Sequence, residues 1–183
     1  MTLFETEHTA SPAHDEPVPA AVTAPVATPS RPAGAALLVG SSGGHLAQLL
    51  ALRELWPADR RAWVTFDTPD AVSLLCDEHQ VFWAHHPTTR SLGKLLRNTV
   101  LAWRVLGRVR PAVVLSSGAA VALPFFVLAR LRRIPTAYIE VYDRLDTATL
   151  TGRLCRPFTS LFMVQWEEQR ALYRDAVVVG PLL

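Results

Sequence analysis

Residues 35–46, with the sequence AALLVGSSGGHL, place the strongest constraint on the fold of this chain. The first five of them are small or apolar and predict a fully buried strand. Residues 40–44 predict a turn with almost no side-chain bulk, and His45 begins an amphipathic helix. The N–H groups of such a loop and the positive end of the helix dipole attract anions, so the stretch predicts a phosphate site.

The length and composition of the chain are those of one globular domain with a substantial core. Half of its 183 residues are hydrophobic, which is enough to bury a sheet and its covering helices. Its two cysteines, Cys76 and Cys155, lie far apart and outside any CxxC spacing. The sequence therefore predicts neither a disulfide scaffold nor a zinc site, favours a reducing compartment, and indicates no metal or other cofactor.

Charge is distributed unevenly along the chain. Residues 1–34 carry a net charge of −3, whereas the remaining residues carry +5. Between His79 and Ile139 there are nine basic residues and no acidic one. This block predicts an anionic partner, either substrate phosphates or acidic lipid headgroups, while an exposed arginine-rich helix face is the alternative explanation. Nucleic acid is not among the partners that we predict.

The first 34 residues differ in composition from the rest. They hold six prolines and seven alanines with no apolar period, which predicts a disordered tail before a single domain over residues 35–183. They lack the basic region and continuous apolar core of a signal peptide, and they contain no membrane span.

From residue 35 onward, short apolar runs alternate with helical patterns. Such alternation predicts an α/β fold with a doubly wound, mostly parallel sheet of the Rossmann type. The predicted strands cover about 35–40, 61–66, 80–84, 112–116, 134–139, 160–164 and 177–179, and the predicted helices about 44–55, 67–76, 91–108, 119–130, 150–157 and 167–173.

One uncharged run needs a choice between two structures. Residues 112–129 are long enough for a membrane helix. Ser116, Ser117 and Gly118 interrupt the run after β-branched residues, and Pro124 follows. We therefore favour a buried strand, a glycine turn and a buried helix.

Three familiar phosphate or nucleophile motifs fit residues 40–45 poorly. No Gly-Lys-Ser/Thr follows, so this is not a Walker A loop, and the spacing differs from the dinucleotide fingerprint GxGxxG. Asp67 stands where a ribose-binding carboxylate belongs, although we favour a helix-capping role for it. The loop does match GxSxG, but the last histidine, His86, comes too early for a hydrolase triad.

A diphosphate cradle is the remaining interpretation. The turn at Ser116, Ser117 and Gly118 is a second strand–glycine–helix junction, and both loops are expected at the carboxyl edge of the sheet. His45 is placed to donate a hydrogen bond to a phosphate or to assist proton transfer.

Several motifs together resemble a known family. They are GSSGGH at 40–45, TFDTPD at 65–70, LSSG at 115–118, and LTGR at 150–153 followed by VQW at 164–166. With the run from Tyr138 to Pro181, they resemble the oligosaccharide-biosynthesis family typified by asparagine-linked glycosylation protein fourteen, which bacterial exopolysaccharide and capsule proteins share. The resemblance covers the chain from residue 35 to its end.

The resemblance implies the N-terminal, acceptor-side domain of a GT-B glycosyltransferase whose donor-binding C-terminal-type half is a separate subunit. It implies transfer from UDP-N-acetylglucosamine or a related UDP-hexose to a polyprenyl-diphosphate-linked sugar, with little activity from this chain alone. Our alternative prediction is a nucleotide-binding Rossmann module of the NAD type.

The resemblance also assigns candidate site residues. Beside the acceptor we expect Thr151 and Gly152, and at the end of the fifth strand Glu140 is a candidate base or sugar ligand. The surface that meets the partner is expected at Gln165, Trp166 and Glu167. The acceptor diphosphate is expected at Gly40, Ser41, Ser42, Gly43, Gly44 and His45, with Ser117 and Gly118 in the neighbouring loop.

The long helix at 91–108 is the predicted membrane contact. Eukaryotic relatives begin with a membrane anchor, whereas this chain begins with its proline-alanine tail, so we expect peripheral attachment at the cytoplasmic face. A basic face beside apolar side chains suits anionic headgroups, although an ordinary amphipathic helix has the same pattern. The contact residues that we expect are Lys94, Arg97, Trp103, Arg104 and Arg108.

Overall fold

The computed structural model of this protein describes residues 34–87 and 92–183. Except for Gly34, the predicted tail lies outside the described residues, and so does Ser91 at the predicted start of the long helix.

A single seven-stranded sheet organises the domain. Its strand order is β3-β2-β1-β4-β5-β6-β7, and every neighbouring pair is parallel. The prediction of a doubly wound α/β fold is thereby confirmed. The strands are β1 Ala36–Val39, β2 Arg61–Phe66, β3 Val81–Ala84, β4 Val113–Ser116, β5 Thr136–Ile139, β6 Leu161–Val164 and β7 Val177–Val178.

Helices cover both faces of this sheet, which explains why its inner strands are apolar on both sides. The helices are α1 Gly44–Ala51, α2 Pro69–Leu74, α3 Leu92–Val109, α4 Ala122–Leu131 and α5 Leu150–Cys155. Alternate side chains of β1 pack against the helix layers on opposite faces of the sheet. Leu38 packs with α1 and α2, whereas Leu37 and Val39 pack with α3, α4 and α5.

The order of the strands creates a crevice beside β1. From β1 the chain winds outward through β2 and β3, and from the adjacent β4 it winds the other way to β7. The loops that follow β1 and β4 therefore diverge at the carboxyl edge of the sheet. This switch point is where open α/β sheets bind their ligands.

Three predicted elements differ in detail from the structure. The first helix ends at Ala51 and is followed by a 3₁₀ turn, and Glu167–Ala171 is a 3₁₀ helix rather than an α-helix. The fourth helix begins at Ala122, because Gly118 and Ala119 have φ values of 122° and 67°, which no α-helix accommodates. Asp67 does not cap α2, since the residue at the N-cap is Thr68.

The uncharged run at 112–129 folds as a strand, a turn and a helix. β4 carries its first part, and α4 buries Phe125, Phe126 and Ala129 completely. In the part of the chain that the structure describes, we find no helix with the length and apolar character to span a bilayer.

Candidate functional site

The two glycine turns meet through His45 and Ser117. The Nδ1 atom of His45 lies 2.9 Å from the carbonyl oxygen of Ser117, and the Ser117 hydroxyl donates to the carbonyl oxygen of His45 over 2.8 Å. Because a carbonyl can only accept, Nδ1 carries the proton of the neutral imidazole. Its Nε2 is therefore left as an acceptor. Ser117 thus positions His45 through its carbonyl oxygen and its hydroxyl proton.

Gly118 provides the space that the imidazole ring occupies. A Cβ atom on Gly118 would lie 2.9 Å from Cε1 of His45 and 3.1 Å from the hydroxyl oxygen of Tyr138. Gly118 also has a φ of 122°, and the next residue, Ala119, holds a positive φ as a non-glycine residue. Strained backbone of this kind is concentrated at functional sites.

Burial keeps His45 neutral. Desolvation lowers the pKa of its imidazole below the usual 6.5 and outweighs the hydrogen bond to Ser117 and the charges of Glu140 and Asp143, which act in the opposite direction. At neutral pH the ring therefore holds its proton on Nδ1 and presents a basic Nε2. This is the form that a general base requires.

A cavity of about 330 Å³ opens beside His45 at the switch point. Within the described residues, the backbone N–H groups of Gly44 and His45 donate no hydrogen bond, as expected in the first turn of a helix, and Arg144 forms no ion pair. We call this space the switch-point cavity, and its lining residues are Gly44, His45, Gln48, Ala119, Tyr138, Val141, Tyr142, Asp143, Arg144, Thr149 and Thr151.

The glycine loop contributes less of this lining than its sequence suggested. The N–H of Gly40 belongs to the sheet, where it donates to Val64 over 3.0 Å, and Gly40 is buried. The N–H of Gly43 donates to Oδ2 of Asp70 over 3.2 Å. Only the last two residues of the loop line the cavity. The N–H of Gly40 is thus already used within the sheet, and its expected contact with the acceptor stays a prediction.

Glu140 is a buried anchor rather than a side chain in the cleft. It is fully buried, it does not line the cavity, and its carboxylate accepts hydrogen bonds from the hydroxyls of Tyr173 and Thr149 and from the N–H of Val141. A Cβ atom on Gly152 would lie 2.5 Å from its Oε2. Since all these contacts are internal, they show Glu140 and Gly152 as parts of the folded framework, and the roles expected for them at the acceptor sugar stay predictions.

The groups around this carboxylate stay protonated. Burial first, and the nearby charge of Glu140 second, raise the pKa of the Cys155 thiol to about 12, and both also raise the pKa of the Tyr138 hydroxyl. Burial likewise raises the pKa of Tyr173, with the hydrogen bond to Glu140 as the next cause. The site therefore contains neutral hydroxyl donors above one buried carboxylate.

Two glutamines hold the loop that forms one wall of the cavity. Gln169 donates to the carbonyl oxygens of Val141 and Arg144 over 2.8 and 3.1 Å, and Gln165 donates to that of Glu140 over 3.0 Å. The indole N–H of Trp166 donates to Tyr142 over 3.1 Å. Gln165 is buried, and its expected place in a partner interface stays a prediction.

Helix α3 presents an exposed apolar stripe beside a basic row. Leu92, Leu96, Val100 and Trp103 recur at helical spacing, and all are exposed. Of the predicted contacts, Arg97, Arg104 and Arg108 are exposed in the adjoining row, while Lys94 is half-buried. The stripe and this row together form the α3 surface. The guanidinium of Arg132 lies 4.2 Å from the centre of the Trp103 ring.

A groove lies on the other face of the sheet from α3. It has a volume of about 400 Å³ and a wholly apolar lining, which includes alternate residues of three neighbouring strands. We call it the apolar groove, and its lining from the sheet is Val113, Leu115, Ala137, Ile139, Leu161 and Met163.

Several residues of the cavity were missed by the sequence reasoning. Tyr138, Tyr142, Asp143 and Arg144 lie in the run that carried the family resemblance, yet the candidates selected from that run were Glu140, Thr151, Gly152, Gln165, Trp166 and Glu167. Because ligands bind at the carboxyl ends of parallel strands, the polar residues that follow β5 could have been selected as candidates from the sequence. Gln48 gave no signal beyond a helical position.

Comparison with known proteins agrees with this geometry. The family model described as "Oligosaccharide biosynthesis protein Alg14 like" matches residues 36–182. The chain is 22% and 24% identical to the UDP-N-acetylglucosamine transferase subunits ALG14 of Rattus norvegicus and Homo sapiens, with 80% of this chain and 82% of each relative covered. Over 92 residues it is 31% identical to the UDP-N-acetylglucosamine--N-acetylmuramyl-(pentapeptide) pyrophosphoryl-undecaprenol N-acetylglucosamine transferase of Oceanobacillus iheyensis, with 46% and 25% covered.

Solved structures show the same fold. MurG of Acinetobacter baumannii matches with a TM-score of 0.59 and 20% identity, over 72% of this chain and 41% of that one. The S. aureus MnaA–UDP structure matches with a TM-score of 0.63 and 11% identity, over 81% and 45%. This chain thus spans less than half of each solved chain. The NAD-type alternative is not favoured by these matches, and the chain belongs to the Alg14-like family of oligosaccharide biosynthesis proteins.

Proposed function

We propose that this chain is the acceptor-binding subunit of a two-component glycosyltransferase. The reaction transfers N-acetylglucosamine or a related hexose from UDP to a sugar linked to a polyprenyl diphosphate. The observation that carries the proposal is the switch-point cavity, which is lined by a neutral His45, by Arg144 and by Gly44. The N–H groups of Gly44 and His45 donate to none of the described residues. Among the relatives, the Oceanobacillus enzyme is named for a pyrophosphoryl-undecaprenol acceptor.

The diphosphate of the acceptor binds at the start of α1. The N–H groups of Gly44 and His45 donate to its oxygens, and Arg144 supplies the positive charge that two phosphates need. Thr151 lies on the same wall, and Ser41 and Ser42 extend the loop beside it.

His45 acts as the general base on the acceptor hydroxyl. Its Nε2 takes the proton as the hydroxyl oxygen bonds to the anomeric carbon of the donor sugar, and UDP leaves with the electrons of the broken bond. The hydrogen bond from Nδ1 to Ser117 holds the ring in the required tautomer. Ser117 and Gly118 are positioning residues in this scheme.

The donor nucleotide binds to a second subunit. The rat and human relatives are named as transferase subunits, and in MurG the same fold occupies only part of a longer chain. An apolar segment of that subunit covers the apolar groove, because an exposed groove with no polar lining is a typical interaction site. Trp166 and Glu167 are exposed and are further proposed contacts.

The α3 surface attaches the complex peripherally to the cytoplasmic face of a membrane. Its apolar stripe enters the headgroup region, and Arg97 and Arg104 lie beside anionic phosphates. Binding to anionic vesicles is expected to weaken with salt and with Arg97→Glu or Arg104→Glu, but not with Arg60→Glu, an exposed cation outside this surface. Equal binding to neutral vesicles would contradict the attachment.

Reconstitution tests the proposed function directly. The purified chain is expected to transfer no sugar from UDP-N-acetylglucosamine to a polyprenyl-diphosphate sugar until a donor-binding subunit is added. Leu161→Asp in the apolar groove should prevent co-purification with that subunit, whereas Leu131→Asp, at an exposed position outside the groove, should not. Robust transfer by the isolated chain would contradict the two-component scheme.

A further inference from the structure

The amide of Gln48 is a buried polar group that the roles above leave unused. Its side chain is 1% exposed, it lies one helical turn after His45 on α1, and it lines the switch-point cavity. Within the described residues its Oε1 accepts no hydrogen bond, and its Nε2 donates none. Buried polar groups are nearly always paired, so a bound molecule is the natural partner of this amide.

The groups that share the cavity with Gln48 indicate the chemistry of that molecule. Tyr138 and Thr149 contribute neutral hydroxyls, which lie 3.4 Å apart and hydrogen bond to each other above the carboxylate of Glu140. Arg144, which forms no ion pair with any described residue, is on the loop after β5 rather than on α1. An amide offers one donor group and one acceptor group, which complement a sugar hydroxyl or acetamido group rather than a phosphate.

We infer that Gln48 determines specificity for the sugar of the acceptor by hydrogen bonding to its hydroxyl or acetamido groups inside the switch-point cavity. The inference rests on the proposed function and adds a sugar subsite to the diphosphate subsite at Gly44, His45 and Arg144. A site that hydrogen bonds to a substrate group rejects an analogue without that group strongly, since its buried amide is then left unpaired.

Two soluble probes distinguish the contribution of the sugar to binding from that of the diphosphate. Farnesyl-diphosphate-linked N-acetylglucosamine and farnesyl diphosphate are titrated into the full chain by calorimetry. The wild type is expected to bind the sugar-bearing probe at least about tenfold more tightly. Gln48→Met, which keeps the shape of the side chain, should abolish this preference and leave the affinity for farnesyl diphosphate within about twofold.

A conservative variant distinguishes recognition from packing. Gln48→Glu keeps an acceptor oxygen, loses the N–H₂ donor and adds a charge, so it should weaken binding of both diphosphate probes while retaining part of the preference for the sugar-bearing one. The melting temperature of Gln48→Met should equal or exceed that of the wild type, because an unpaired buried amide is removed.

The outcomes separate this inference from the proposed function. If Gln48→Met keeps the preference for the sugar-bearing probe, or weakens both probes equally, Gln48 does not recognise the sugar. A wild type that binds both probes equally well also overturns the inference alone. A wild type that binds neither probe contradicts the acceptor-binding function, and the sugar subsite with it.

Discussion

Tyr173→Phe removes one hydrogen bond from the buried carboxylate of Glu140. The carboxylate still accepts from Thr149 and Val141, so the variant loses a single charge-assisted hydrogen bond without emptying the site. Hydrogen bonds to charged groups contribute about 1.5–3 kcal/mol. We therefore expect the free energy of unfolding to fall by about that amount, and Tm by about 3–12 °C for a domain of this size.

The measurement is urea unfolding at pH 7, followed by tryptophan fluorescence. Tyr142→Phe is the matched control, because the Tyr142 side chain is half exposed, and it should stay within about 0.5 kcal/mol of the wild type. In a double-mutant cycle, Glu140→Gln and Tyr173→Phe should be non-additive, since they remove the same contact. Equal stability of the two tyrosine variants would refute the anchoring role of Glu140.

Three further predictions concern the same site. Gly118→Ala, which combines a positive φ with close contacts to the His45 ring, should destabilise the domain by about 1–3 kcal/mol, whereas Gly107→Ala in the last turn of α3 should not destabilise it in the same unfolding assay. An NMR titration of His45 should show a midpoint below 6.5, and a midpoint above 6.5 would contradict the neutral base. Because the unfolded state then binds more protons than the folded state, the contribution of His45 to stability should be full above pH 6.5 and fall as the pH decreases below it. Thiol titration of the native protein should detect exposed Cys76 and not buried Cys155, with both reacting after denaturation.

The sheet could be predicted from the sequence because its signals are local. Buried strands appear as short apolar runs, and the glycine turns after β1 and β4 mark where they end. The strand bounds at Arg61–Phe66 match the prediction at both ends. The start of α4 was predicted about three residues too early, because Gly118 and Ala119 have positive φ values that an α-helix does not accommodate.

The site was predictable only in part, because its hydrogen bonds join distant segments. Glu140 could be selected as an acid after a strand, but its partner Tyr173 lies 33 residues further on. The hydrogen bond from the Gly43 N–H to Asp70 joins residues that are 27 positions apart. The unpaired amide of Gln48 becomes visible only when its surroundings are known.

The most direct test of the central claim is the turnover of the reconstituted pair with His45→Asn. The amide N–H₂ of asparagine can replace the Nδ1 donor to Ser117, so the glycine turns stay together while the basic Nε2 is lost. We predict that kcat of the His45→Asn pair falls about 10²- to 10⁴-fold, the usual contribution of a general base, while its affinity for the acceptor stays close to that of the wild type. The control variant His79→Ala should turn over at close to the wild-type rate. A His45→Asn pair that turns over at the wild-type rate would show that the switch-point cavity does not supply the base.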